Sequence, residues 1–387
     1  MHPSSPPRPA PSELQVSKPK SSGDFANRLV FTLLMAYSFL ALVSKGAGVM
    51  IVMVMGIMAF MFREVVRINQ LERKDRQVPM QQFLCWWFLG VTLFVASAYH
   101  IRDPLLATYP WLKEYYNRFG LFTFSMYMFG LVAFVLSLKR GMYRYQFRQF
   151  TWMVMTLIFI VLQGSLQVAN MLRGMIWFLV PIYCVVSNDI WAYCFGKSFG
   201  RTPLLSLSPK KTVEGFVGAW LFTMISGVWV AGFLAHFPSL TCAKEDFLSE
   251  LRCTPHPLFV FEKVAVPHAI AAVSGVAFVR LCPMQTHALV MSIFASLLAP
   301  FGGFFASGLK RAFKLKDFGD LIPGHGGMTD RMDCQLIMGL FVYVYLQTYI
   351  FSDTKCPNPN DLLLCFQQLS AEGQQRFLEH VQAMRGG

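Results

Sequence analysis

The chain has 387 residues, of which 55% are hydrophobic, 15% aromatic and only 14% charged, and its net charge is +13. A soluble domain carries about 25% charged residues, so an ordinary cytosolic enzyme, a disordered chain and a fibrous repeat are all excluded. Phenylalanine alone occurs 37 times.

A helix that crosses a bilayer needs roughly 20 mostly apolar residues. Residues 1–28 are rich in Pro and Ser without a hydrophobic stretch. They are expected to form a disordered cytoplasmic tail and no cleavable signal peptide. Apolar runs then follow at 29–45, 47–62, 83–100, 120–138, 151–168, 174–195, 215–235, 285–306 and 335–351. The first two are short and joined by Lys45-Gly46-Ala47-Gly48, which predicts a hairpin. A further run at 266–282 opens with Pro267, holds Arg280 and stops at Pro283, so it is expected to be re-entrant or interfacial. The expected fold is an all-α polytopic membrane protein with about nine transmembrane helices, cytoplasmic catalytic loops and a re-entrant segment at 266–282. Its transmembrane catalytic domain would run over 29–351, with a motif-rich half at 183–335 and a C-terminal helical tail at 352–387. In that tail Phe377, Val381 and Met384 form one stripe, suited to packing or to an interfacial helix.

Basic loops resist translocation. With nine spans and the N-terminus inside, the segments 1–28, 63–82, 139–150, 196–214 and 307–334 hold +12 of the net charge, and the opposite loops sum to zero. Counting 266–282 as a span would break that asymmetry. Acidic residues are nearly absent from the spans. Asp189, beside Asn188 in the sixth, is therefore a functional suspect, because a mid-helix carboxylate costs about 2.5–3.5 kcal/mol on insertion scales.

The densest polar cluster runs from Ser307 through Lys310, Arg311, Lys314, Lys316 and Asp317 to Pro323-Gly324-His325-Gly326-Gly327. It closes with Asp330, Arg331 and Asp333. Cations at the edge of a span, and a glycine loop whose amides approach an oxyanion, suit phosphate. Asp330 and Asp333, three apart, would share a helical face and grip one Mg²⁺, which characteristically takes one or two carboxylates plus substrate phosphates. The plain alternative is a positive-inside loop with helix-capping aspartates. A second loop on the same side carries Ser208, Lys210, Lys211, Thr212 and Glu214 just before a helix start, which also suits a polyphosphate. It lacks P-loop spacing.

The run Ser307–Asp333 resembles the signature of the phosphatidate cytidylyltransferase (CDP-diacylglycerol synthase) family: Ser-x-apolar-Lys-Arg, four residues, Lys-Asp, then Pro-x-His-Gly-Gly-apolar-x-Asp-Arg-apolar-Asp. Every fixed position is present. Asn188-Asp189…Ala192-Tyr193…Gly196 and Ser208-Pro209-x-Lys211-Thr212-x-Glu214-Gly215 resemble the family's other shared segments. Ala299–Ala306 and the tail Pro357-Asn358-Pro359 look like the eukaryotic branch. The resemblance is strong over 183–387 and rests mainly on span pattern before that. Bacterial relatives commonly carry an Asp where Gly303 stands, and Asp317 or Asp189 would supply the missing contact.

The resemblance implies a nucleotidyltransferase making CDP-diacylglycerol and pyrophosphate from CTP and phosphatidic acid. It implies Mg²⁺, with a second cation such as K⁺ left open, a homodimer, and an endoplasmic reticulum membrane protein whose site faces the cytosol. Asp330, Asp333 and Asp189 would hold the metal. Lys310, Arg311, Lys316 and Arg331 would neutralise pyrophosphate and the lipid phosphate, and Asp317 would be a further catalytic residue. His325 would donate to a phosphate oxygen or brace the glycine loop. Asn188, Ser208, Lys211, Thr212, Ser307, Gly326 and Gly327 would contact substrate, and Lys314 would be a surface charge.

Cys242 and Cys253 share the long outside loop, where an oxidising lumen permits a disulfide. The remaining cysteines show no zinc spacing. A transporter is the rival class, but no internal repeat is present and the polar residues collect at one face. Other rivals are a related phosphotransferase acting on a different lipid and a scaffold that has kept the motif.

Overall fold

The computed structural model describes residues 22–70, 80–205, 208–242, 256–265, 278–319, 321 and 326–351, with 366, 374–375, 377–379 and 381–382 in the tail. Helix follows the apolar runs. In order come α1 (Ser22–Ser44), α2 (Ala47–Gln70), α3 (Gln81–Thr108), α4 (Lys113–Asn117), α5 (Phe119–Leu136), α6 (Tyr143–Leu157) and α7 (Gln163–Leu172). Then follow α8 (Ile176–Phe199), α9 (Val213–Leu234), α10 (Pro238–Thr241), α11 (Pro283–Leu297), α12 (Pro300–Ala312) and α13 (Thr329–Tyr345). A π-turn, Ile158–Leu162, joins α6 to α7 in one rod.

Seven stretches are long and apolar enough to cross a bilayer: Ala47–Ile68, Gln81–Arg102, Phe119–Leu136, Tyr143–Leu172, Ile176–Phe199, Val213–Leu234 and Pro283–Ala312. They match seven of the nine expected runs, so the count of nine is not confirmed among the described residues. The first run is helical, and among the described residues its apolar stretch is Thr32–Ser44. The last, α13, opens with Asp330, Arg331 and Asp333 and carries Gln335, which lowers its hydropathy. Helix α1 begins at Ser22, ahead of the expected 29, and turns into α2 at Gly46, whose φ of +94° an L side chain would strain against.

Two packed cores organise the chain. The first joins α2, α3, α5, α6 and α7 around Met58, Phe62, Phe88, Phe134 and Val161. The second joins α8, α9, α11 and α13 around Trp177, Cys184, Met291 and Met338. Leu309, Phe313, Leu315, Phe318 and Met328, from the polar cluster, pack on the first core. The Trp152 and Phe313 rings lie 5.1 Å apart, edge to face. The N-terminal half is thus the platform on which the motif sits, a role the sequence did not show.

Helices α8 and α9 approach closely: a Cβ on Gly215 would stand 2.8 Å from the Ala192 carbonyl and 3.0 Å from the Gly196 Cα. Small residues at such a seam let backbones meet where no hydrophobic drive separates helix from lipid. Between the two helices the chain forms a ribbon, β1 (Pro203–Leu205) antiparallel to β2 (Ser208–Thr212). A second ribbon pairs β3 (Glu262–Ala265) with β4 (Phe278–Leu281). The end of the expected re-entrant segment is therefore strand, while 266–277 lie outside the described residues. Cys242 is disulfide-bonded; Cys253, its expected partner, lies outside the described residues, as does most of the expected C-terminal helix.

Candidate active site

Lys310 ends α12 and Asp330 begins α13, and their side chains meet in an ion pair at 2.6 Å. Both are largely buried, at 14% and 8% exposure. The other Asp330 oxygen accepts the Phe318 N–H at 2.9 Å and the Gly327 N–H at 3.2 Å. Lys310 also lies 5.5 Å from the Phe318 ring. One carboxylate thus ties together the last turn of α12, the loop and the start of α13. Charge-assisted bonds in such a setting are about twice as strong as neutral ones.

A second carboxylate does the same from the other half. Glu64, near the end of α2, is only 6% exposed. Its oxygens accept the Met328 N–H, the Thr329 N–H and the Thr329 hydroxyl, each at 2.8 Å. These donors are among the orphan amides that open α13, where the helix dipole also favours negative charge. The two carboxylates leave no room for side chains between them. A Cβ on Gly327 would stand 2.9 Å from Glu64 Oε2, 3.1 Å from Asp330 Oδ2 and 2.8 Å from the Gly319 amide nitrogen. Gly326 carries a φ of +85°. The paired glycines of the motif are thus required by close approach and backbone shape. Sequence reasoning missed Glu64; its one signal was a lone acidic residue set among Phe62, Val65 and Val66 at helical spacing.

Asp333 lies one turn further along α13, in different surroundings. Its Oδ1 accepts the Cys334 N–H at 2.7 Å. Oδ2 faces α12, 3.4 Å from where a Gly303 Cβ would stand. Asp189, from α8, lies close enough to act electrostatically on Asp333; Lys211 acts on both and Arg331 on Asp189. Asp189 is exposed on α8. The Lys211 ammonium stands 4.8 Å over the Phe304 ring, so α12 supports it from below. Asp189, not Asp317, thus stands beside Gly303's neighbour Asp333; Asp317 is exposed and lies against Gly326.

The other expected residues divide. Arg331 is exposed near Asp189, and Arg311 is exposed and donates to the Leu315 carbonyl at 3.3 Å. Lys316 is exposed, Lys314 is exposed with a φ of +55°, and Ser307 is half-buried one turn before Lys310. Asn188 is buried at 4%, and its side-chain oxygen has no hydrogen-bond partner among the described residues. Thr212 caps α9, its hydroxyl accepting the Gly215 N–H at 3.2 Å, and so serves structure first. Glu214 holds the turn into β1, accepting the Arg201 and Thr202 N–H groups at 3.1 and 3.2 Å and the Thr202 hydroxyl at 2.9 Å. Ser208 begins β2. His325 lies outside the described residues.

Among the described residues no three metal-binding side chains cluster. A hard cation held largely by substrate phosphates and water needs only one or two carboxylates. The pair Asp189 and Asp333 fits that demand. Asp330 fits it poorly, because an ammonium and two amides already occupy its oxygens.

Fold and site together define a polytopic helical membrane protein with an acidic pair and converging cations at the ends of its helices. The model of the cytidylyltransferase family matches residues 26–349, and the chain belongs to that family. Phosphatidate cytidylyltransferase 1 of Arabidopsis thaliana is 43% identical over 353 residues, covering 89% of this chain and 83% of its own. Phosphatidate cytidylyltransferase 2 of Homo sapiens is 39% identical over 361 residues, 90% of this chain and 79% of its own. The phosphatidate cytidylyltransferase of Saccharomyces cerevisiae is 38% identical over 334 residues, 84% and 73% of the two chains. The match spans both halves, in keeping with the packing of the motif on the first core.

Proposed function

We propose that the chain is a phosphatidate cytidylyltransferase, converting CTP and phosphatidic acid to CDP-diacylglycerol and pyrophosphate for phospholipid synthesis. The observation that carries this reading is the Asp189–Asp333 pair within electrostatic reach of Lys211, with Arg331 near Asp189, in a chain of this family. A phosphate oxygen of the lipid attacks the α-phosphorus of CTP, and the bond to the β-phosphate oxygen breaks to release pyrophosphate. The lipid phosphomonoester has its second pKa near 6, so it is already largely dianionic at neutral pH and needs no strong base. The barrier is the approach of two polyanions, and catalysis is mostly positioning and charge neutralisation.

Lys211 and Arg331 supply fixed positive charge near the acidic pair. Arg311 in the last turn of α12 and Lys316 just after it, both exposed, offer further cations to pyrophosphate and the lipid phosphate. Asp189 and Asp333 would hold Mg²⁺, which when bound neutralises the nucleotide phosphates. Lys310 and Asp330 keep the loop in place rather than touching substrate. A homodimer in the endoplasmic reticulum membrane with the site facing the cytosol is part of the same proposal; the basic bias of one set of loops supports that orientation.

The test is purified protein in lipid nanodiscs with CTP, phosphatidic acid and Mg²⁺. The expected result is CDP-diacylglycerol and pyrophosphate in equal amounts, both dependent on the lipid phosphate. Absence of a liponucleotide, or equal turnover with diacylglycerol, overturns the reading.

A further inference from the structure

Glu64 lies outside every segment in which the sequence displays a motif, on a helix 264 residues before the amide it binds. The arrangement around it is nonetheless built. Val65 and Val66 are buried in the first core, and the Val65 carbonyl accepts the Trp152 indole N–H at 3.3 Å, which seats the end of α2. Arg63 and Arg67 on either side are exposed, while the Glu64 carboxylate turns inward. It takes three donors from two consecutive residues at the start of α13. It is also the neighbour that makes Gly319 a glycine: the three atoms nearest a Gly319 Cβ are Glu64 Oε1, Cδ and Cγ, at 2.9, 3.1 and 3.2 Å.

A helix turns about 100° and rises 1.5 Å per residue. Asp333 is four residues beyond Thr329, so the seating of the first turn sets both the height and the rotation of the Asp333 carboxylate. Asp189 and Lys211 sit on α8 and β2 and do not follow α13 when it shifts. We propose that Glu64 is a positioning residue for the reaction. By clamping the first turn of α13 to α2, it aims Asp333 at Asp189 and Lys211 without touching either substrate. The inference rests on the role given to Asp333 above. It gives the N-terminal half a part in the chemistry: that half fixes the geometry of the acidic pair.

The experiment compares Glu64→Ala, Glu64→Gln, Gly319→Ala and the double variant Glu64→Ala/Gly319→Ala, as full-length protein in nanodiscs. Readouts are kcat, KM for CTP and thermal midpoint, with activity counted per folded molecule. Misplacement of a catalytic group by about 1 Å costs on the order of 10²-fold. Glu64→Ala is therefore expected to lower kcat by about that factor, with KM for CTP little changed. Glu64→Gln keeps one acceptor oxygen and falls between. Gly319→Ala alone lowers kcat because its methyl group displaces Glu64. In the double variant the collision partner is gone, so its kcat equals that of Glu64→Ala. Wild-type kcat per folded molecule in Glu64→Ala, or multiplicative losses in the double variant, overturns the proposal. The thermal midpoints give the same comparison without turnover. If the wild-type protein makes no CDP-diacylglycerol, non-additive midpoints still establish the Glu64–Gly319 clamp, and it is the functional reading that fails.

Discussion

Asp330 and Asp333 sit three residues apart on one helix, and their surroundings give them opposite work. Asp330 is closed in: an ammonium and two amides take its oxygens, and 8% of its side chain is exposed. Asp333 lies within electrostatic reach of a second carboxylate, Asp189, with Lys211 acting on both. A carboxylate whose hydrogen-bonding capacity is met by protein organises structure. One left facing a like charge needs a cation from elsewhere. The comparison teaches that the two aspartates of one signature belong to different surroundings: Asp330 joins Lys310 in a bonded girdle that Glu64 extends from outside the signature, and Asp333 joins Asp189 and Lys211.

Substitutions in the two surroundings should separate activity from stability. The largest effect on turnover is expected at the acidic pair. Asp333→Asn should lower kcat by about 10²–10³-fold, the scale for removing one electrostatic contact to the reacting phosphates. Its thermal midpoint in detergent should hold or rise, because the repulsion from Asp189 is relieved. Lys310→Met should act the other way round, leaving Asp330 buried without its partner at a cost of about 3–5 kcal/mol. Thermal unfolding should show that loss before any assay does, and a wild-type midpoint would remove the girdle from the account. Gly327→Ala pushes a methyl group against the Gly319 backbone and both carboxylates, and overpacking of this kind costs about 1–3 kcal/mol. Reduced yield of folded protein, together with reduced kcat, is the expected outcome. The smallest effect belongs to Thr212→Val, which removes the α9 cap for about 1 kcal/mol. A large rise in KM for CTP in that variant would instead show that the hydroxyl touches nucleotide.

Much of the fold was legible because each apolar run is long enough to demand a helix in lipid. The last run is where composition departs from the others: α13 carries Asp330, Arg331, Asp333 and Gln335 and so is too polar to match them. The ribbon of β1 and β2 escaped notice because five and three residues of strand leave no periodicity to read. Within the candidate site, Asp189, Lys211, Arg331 and Asp333 stood out in the sequence by residue type, and the structure brings them within electrostatic reach of one another. The division between Asp330 and Asp333 did not stand out. Equal spacing on a helix face says nothing about which partner arrives from another element, and Lys310 reaches one and not the other. Asn188 and Thr212 show a related limit of local pattern, since a polar side chain near a site serves packing or capping as readily as substrate. Glu64 carries its meaning in a contact across more than 260 residues, which no local pattern records.

The most direct test of this division is divalent-cation binding in the presence of CTP, followed by the loss of free Mn²⁺ signal in electron paramagnetic resonance. The variants are Asp333→Asn and the charge-neutral double Lys310→Met/Asp330→Asn, which removes the girdle pair without stranding a buried charge. The account predicts that the folded double variant still binds Mn²⁺ with near wild-type affinity, whereas Asp333→Asn does not. Loss of binding in the double variant with retention in Asp333→Asn would contradict it.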